Sequence, residues 1–310
     1  MRAVRSTPPG VTVVDVDEPE GPGAVVSMRS VGICASDLGY IAWGSTMLLG
    51  HELAGVTEDG TPVAIEAIFG CGECELCLEG RYNLCVQGPT ALGVTENGGM
   101  SEFFAAPARA LVPLPAGLAV EDACLAEPTA VAWHACRLTG VGPDQRVAVV
   151  GGGAIGLMAV AAATARGAAE VSLEARHPHQ IALGERLGAT QPSGHYDVVI
   201  EAAGSESALH RAAELARPGG TMGVLGVFGP DVTWPQHACF LKELRTVPSL
   251  GYCRHGRGRD FEDAAALLAS HPDLVDALVT HRFPLEDAAE AFRVAADKSS
   301  GALRVVVEPS

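Results

Sequence analysis

The stretch VAVV at 147–150 runs directly into Gly151-Gly-Gly153-Ala154-Ile155-Gly156 and then into a long apolar run. Few folds accommodate a strand, this glycine turn and a helix in such close order. Gly151 permits the tight turn, Gly153 lets the backbone approach a pyrophosphate, and Gly156 lets the helix pack on the strand. The helix start, with Ala154 and Ile155, faces the phosphates. A G-x-G-x-x-G pattern alone is weak evidence; its position between a good strand and a good helix makes it a dinucleotide site. RVAVVGGGAIGLMAVAAATARGAAEVSLEA reads as strand, turn, helix, strand. YDVVIEAAGS, a helix over 206–216 and RPGGTMGVLGVFG repeat the alternation. Alternating β and α predicts an α/β fold with a doubly wound parallel sheet.

The end of the second strand decides between NAD and NADP. An acid about 20 residues past the glycines binds the ribose 2′-hydroxyl of NAD. VSLEARH places Glu174, Ala175 and Arg176 in that zone. If Glu174 is that acid, NAD fits. A shift of one residue along a strand turns a side chain to the other face, however, and counting nineteen from Gly156 lands on Ala175. A small neutral residue followed by Arg176 suits a 2′-phosphate, so NADP is the expected cofactor and NAD the less favoured one. His177 and His179 either assist or are merely solvated.

The flanks are different. Residues 1–30 alternate apolar and polar groups with Pro/Gly punctuation, 31–116 hold short β-like runs such as TPVAIEAIF, and EDACLAEPTAVAWHACRLTG has helical spacing. After about Tyr252 come two amphipathic helices, DFEDAAALLAS and LEDAAEAFRVAAD, and a last strand, ALRVVVEP.

Nine cysteines are present, and Cys71, Cys74, Cys77 and Cys85 fall in one short segment. Four thiolates at such spacing close a tetrahedral zinc with no open position, a structural site in the lobe 71–85. The start MRAVRSTPPG does not look like a signal peptide. A reducing, cytoplasmic setting is therefore expected. The net charge of −16 argues against nucleic acid, and no apolar run is long enough to span a membrane. Hydrophobic content of 48% supports a sizeable core.

A second set of metal-type residues lies upstream, Cys34, Ser36 and Asp37 in GICASDLGY and His51-Glu52 in LLGHELAG. Together with GCGECELCLEGRYNLC, NGGMSEFF, LAEPTAVAWHA, VAVVGGGAIG and RPGGTMGVLG, these stretches give the chain a resemblance, along nearly its whole length, to the zinc-dependent medium-chain alcohol and polyol dehydrogenases. The pattern is most similar to the sorbitol, glucose and threonine dehydrogenase branch. The resemblance implies a β-rich GroES-like catalytic domain on a distorted barrel, over 1–128 and 254–310, a Rossmann domain over 129–253, and a cleft between them. It makes Cys34, His51 and Glu127 the ligands of a catalytic zinc, so two zinc ions per chain are expected. Glu127-Pro128 matches the named branch. Cys124 is a rival ligand in a non-matching frame. Glu52 is implied to bind zinc directly or through water, trading places with Glu127, and Asp37 to orient a ligand histidine. Ser36 matches the hydroxyl residue that contacts substrate oxygen, with a surface serine as the plain alternative. Arg304 matches a basic residue that reaches the cofactor pyrophosphate, against a surface arginine. Backbone around Gly204 and 225–227, with Leu225 and Val227, is implied to flank the nicotinamide. Sheet-edge association in the family implies a homodimer or homotetramer.

The chain departs from the family in two ways. The relay histidine five residues after the ligand cysteine is replaced by Gly39. Water, Tyr40 or another side chain takes the proton, or the reaction needs no relay on that path. Sixteen residues separate Cys34 from His51, fewer than usual, and the loop before the cysteine cluster is abbreviated. Trp43 is placed in the pocket, in the core or at the surface. His134 is read as a core or interface histidine, and Lys242 and Arg245 as surface charges. The expected activity is hydride transfer between NADP(H) and a small secondary alcohol or polyol and its ketone. Reduction of an imine or activated alkene on the same scaffold, and a non-catalytic NADP(H) sensor, are the alternatives.

Overall fold

A computed structural model of the chain describes residues 1–19, 23–229, 231–297 and 299–309. It divides into two compact units, Met1–Glu127 with Cys253–Ser310, and Pro128–Tyr252.

The second unit carries a five-stranded sheet in the order Glu170–Glu174, Arg146–Val150, Tyr196–Glu201, Ala216–Val224, Arg245–Pro248, and every pairing is parallel. Parallel strands are covered on both faces, so they read as continuous apolar runs. VAVV and VVI are such runs, and Val147, Ala148, Val149, Val199 and Ile200 are fully buried. The helix Ala154–Ala165 is apolar all round and buried from Gly156 to Ala163, which lets it lie on the sheet without a solvent stripe. The helix Glu206–Leu215 begins at Ser205, whose hydroxyl accepts the Ala208 N–H. Its other end corrects one expectation. Lys242 is a capping residue rather than a plain surface charge, because its Nζ donates to the carbonyls of Ala213, Glu214 and Ala216 at 3.0, 2.7 and 2.8 Å. These are the carbonyls that a helix C-terminus leaves without partners, and the cation also meets the negative end of the dipole.

The first unit is built on a seven-stranded sheet, ordered Val279–Pro284, Arg304–Glu308, Ala24–Gly32, Glu52–Thr57, Pro62–Ile65, Leu111–Pro113, with Phe103–Ala106 also paired to Ala24–Gly32. The last strand of the chain thus inserts next to an early one, with Val306 opposite Gly32. The core behind it joins Val26, Met28, Val31, Leu53, Ile65, Phe292 and Val305. In Ala288–Ala296 the buried Ala288, Ala291 and Phe292 recur at i, i+3, i+4 and face this core. Besides the two helices expected after Tyr252, a third covers Pro272–Leu278. Its period is hard to see in seven residues, but Pro272 at the first turn and buried Leu274, Val275 and Leu278 account for it. No helix among the described residues is long and apolar enough to cross a membrane.

Candidate functional site

Antiparallel pairing sets Gly32 opposite Glu52 and Val31 opposite Leu53. Cys34 follows the first of these strands and His51 precedes the second, so the ladder delivers both to the same sheet end. Cys34 N-caps the helix Ala35–Ala42, and the Asp37 carboxylate closes the cap by accepting the Cys34 N–H at 3.0 Å. The other Asp37 oxygen lies 3.3 Å from His51 Nδ1, and Asp37 is wholly buried. One carboxylate therefore positions the thiol-bearing turn and the imidazole together. Burial disfavours a charged His51, but Asp37 and Cys34 outweigh it and hold its pKa well above the usual range. Ser36 Oγ stands 3.4 Å from His51 Nε2.

Thiol, imidazole and carboxylate of Cys34, His51 and Glu52 lie within 4.8 Å of one another. Glu52 Oε1 faces the buried Arg304 guanidinium, and Glu52 Oε2 is buried without a hydrogen bond. An acceptor left over in a dry site is costly and fits a cation held beside it. Glu52 finds room because residue 32 is glycine; a Cβ there would stand 2.0 Å from Glu52 Oε2. Of the two carboxylates considered as ligands, Glu52 is the one in this cluster, and Glu127 is not among the three. Glu127 is buried beside it, and its pKa is pushed up to about 7 by burial, against the pull of His51 and with repulsion from Glu52. Cys124 is fully buried, burial pushes its thiol up to about 12, and it is not among the three. Arg304 is not a surface arginine. It is 6% exposed, with Nη2 3.0 Å from Glu52 Oε1, so its guanidinium faces the cluster carboxylate. Trp43 is 79% exposed, and His134 is buried.

In the lobe 71–85 the four thiols also converge within 4.8 Å, with Cys71–Cys77 and Cys74–Cys85 sulfur distances of 3.9 Å. Tetrahedral zinc–sulfur bonds of about 2.3 Å require sulfurs about 3.8 Å apart, so the cage fits zinc. Backbone N–H groups of Val86 and Cys77 draw the Cys74 thiol down to about 6. The lobe is braced by a trio that sequence reasoning missed: Tyr82 OH donates to buried Glu66 at 2.7 Å, and Arg259 Nη1 donates to its other oxygen at 3.2 Å. The partners lie far apart in sequence, and no local signal joins them.

In the second unit Gly151 has φ +118°, a conformation that favours glycine, and its N–H donates to the Glu174 carbonyl at 2.9 Å. Gly153 is the N-cap of Ala154–Ala165, and a Cβ on it would meet nothing within 4 Å, an open face suited to a phosphate. Gly156 sits against the turn, where a Cβ would be 1.8 Å from the Gly151 carbonyl oxygen. A Cβ on Gly152 would lie 2.4 Å from the Ala175 Cβ, so Ala175 faces the glycine turn. Glu174 is engaged elsewhere, since both its oxygens accept from Arg211 Nε at 3.0 and 2.8 Å. Arg176, His177 and His179 are exposed, and the two imidazoles stack with centroids 5.6 Å apart. Gly204 has φ +66° and approaches 225–227, Leu225 donates its N–H to the Glu201 carbonyl, and Val227 is 85% exposed.

Comparison with known proteins gives a consistent picture. Residues 21–116 match the profile of the alcohol dehydrogenase GroES-like domain, and 154–270 that of zinc-binding dehydrogenases. The chain is 31% identical to the D-xylulose reductase A of Aspergillus oryzae, across 86% of this chain and 85% of that protein. It is 31% identical to the L-galactonate-5-dehydrogenase of Escherichia coli K12, across 87% and 86%. Among solved structures, galactitol-1-phosphate dehydrogenase from Escherichia coli superposes with TM-score 0.89 at 26% identity, covering 99% of each chain. A zinc-binding dehydrogenase from Sinorhizobium meliloti 1021, bound to NADP, gives 0.86 at 28% identity, also covering 99% of each.

The contact at Gly156 predicts that Gly156→Val forces the helix off the turn. Stability should fall by about 3 kcal/mol or more, read as a melting temperature lower by about 5–10 °C.

Proposed function

The chain belongs to the zinc-dependent medium-chain dehydrogenase family, in its polyol branch, and from that membership we propose that it transfers hydride between NADP(H) and a secondary alcohol or polyol and its ketone. It is an oxidoreductase of the alcohol and polyol type. The observation that carries the reading is the convergence of Cys34, His51 and Glu52 within 4.8 Å at one sheet end. Cys34 and His51 hold a catalytic zinc with a carboxylate from Glu52 or Glu127, and Cys71, Cys74, Cys77 and Cys85 hold a structural one. When bound, the open metal supplies Lewis acidity at a substrate oxygen and the nicotinamide supplies or accepts the hydride. The chain's own residues do the positioning. Asp37 fixes the imidazole through Nδ1 and leaves Nε2 for the ligand side. Ser36, close to that nitrogen, is placed to hand on the proton of the substrate hydroxyl. A Cβ on Gly39 would meet nothing within 4 Å, and water in that space would take the proton onward in place of a relay side chain.

Three features support NADP: Ala175 facing the glycine turn, an exposed Arg176 after it, and Glu174 held by Arg211. The partners are a small-molecule substrate and further copies of the chain. Among the described residues the edge strand Arg245–Pro248 pairs on one side only, and it is the surface through which a homodimer or homotetramer would form. The absent relay histidine keeps imine and alkene reduction as a second reading, which a screen of ketones, polyols and imines separates.

Metal analysis of the purified protein should give about two zinc ions per chain, and Cys34→Ala should lower this to about one and abolish turnover. Retained turnover would refute the ligand assignment. Ala175→Asp with Arg176→Ala should shift the ratio of NADPH to NADH affinity towards NADH in a fluorescence titration; an unchanged ratio would sink the NADP reading. Gly39→His, introduced into open space, should change kcat by less than about tenfold, below the 10²–10⁴ that an essential acid–base group contributes. A larger gain would show that proton release limits the wild-type enzyme.

A further inference from the structure

Glu201 ends the strand Tyr196–Glu201 and is fully buried. Its Oε1 accepts the N–H groups of Ala203 at 2.9 Å and Gly204 at 2.8 Å, and its backbone carbonyl accepts the Leu225 N–H at 2.9 Å. Its Oε2 is buried without a hydrogen bond of good geometry and borders Gly226, where a Cβ would stand 2.3 Å from that oxygen. The same Cβ would lie 2.5 Å from Gly204 N and Cα, and a Cβ on Gly204 would lie 3.0 Å from the Val227 carbonyl. The turn after one parallel strand and the turn after its neighbour therefore interlock through two glycines and one carboxylate. Burial raises the pKa of Glu201 against the pull of the surrounding backbone N–H groups. A buried carboxylate at a strand end is a costly way to tie backbone, and departures of this kind concentrate at functional sites.

We propose that Glu201 is a positioning residue for the nicotinamide half of the cofactor, its carboxylate fixing the loop at 202–205 against the loop at 225–227. The inference rests on the proposed function, with the loops at Gly204 and 225–227 flanking the nicotinamide as the family resemblance implies. The first loop is held by two backbone N–H groups donating to the carboxylate, bonds stronger than neutral ones, and the second by the Leu225 N–H on the Glu201 backbone carbonyl and by the packing of Gly226 on Oε2. Glutamine has the same shape but no charge, which weakens the two bonds at Oε1, and it sets an amide NH₂ against Gly226 where Oε2 packs. Alanine at 226 pushes on the same interlock from the other side.

The test is binding by the intact chain of NADPH and of 2′,5′-ADP, which has the adenosine half and no nicotinamide. NADH and 5′-ADP serve as the pair if the wild type favours NADH. In Glu201→Gln, NADPH binding should weaken by about tenfold or more while 2′,5′-ADP changes by less than about twofold. Gly226→Ala should share that pattern, and it decides by the same comparison if Glu201→Gln does not fold. Unchanged NADPH affinity would overturn the inference. So would equal weakening of both ligands, which would make the carboxylate a support of the whole unit. Failure of the wild type to bind any of these nucleotides would instead overturn the proposed function.

Discussion

The pairing of Gly32 with Glu52 is the constraint on which the candidate site depends. It brings the turn holding Cys34 and the residue His51, separated by sixteen residues along the chain, to one end of two adjacent strands. It also creates a difficulty, because it buries the Glu52 carboxylate over the neighbouring strand. Glycine at 32 provides the space, and Arg304, carried in on the last strand of the chain, provides the countercharge. An unpaired buried carboxylate would be strongly destabilising. The return of the C-terminal segment to the first unit is thus part of the same electrostatic solution as the cluster of Cys34, His51 and Glu52.

Asp37 acts one layer further out. A single buried carboxylate closes the cap of a short helix through the Cys34 N–H and faces the His51 ring. Coupling a helix cap to the His51 ring makes the geometry of the thiol and the imidazole interdependent, so the turn cannot shift without disturbing the imidazole. The cysteine lobe is secured by similar means. Tyr82 and Arg259 meet on Glu66, which ties the short segments around the four thiols to the C-terminal part of the same unit.

The second unit solves a different problem, the close approach of backbone to backbone. Gly156 against the Gly151 carbonyl, Gly152 against Ala175 and Gly226 against Glu201 are contacts that any side chain would break. Glutamate appears twice at strand ends in this unit with opposite fates. Glu174 turns to a helix arginine on one face, and Glu201 turns inward to backbone N–H groups.

Much of this was legible in the chain itself. The glycine turn between VAVV and an apolar helix fixed the doubly wound sheet, since the pattern of glycines and apolar residues reports steric and burial demands that are local. The spacing of Cys71, Cys74, Cys77 and Cys85 reported the convergence of four thiols for the same reason. The tertiary structure alone decided which groups meet across long distances. It set Glu52 rather than Glu127 among the cluster of three, turned Arg304 towards a carboxylate, made Lys242 a helix cap and assigned Glu174 to Arg211. The direction of a side chain at a strand end depends on register and on the element packed against it. Charge pairing between segments hundreds of residues apart leaves no periodic trace, and so only the folded arrangement could settle it.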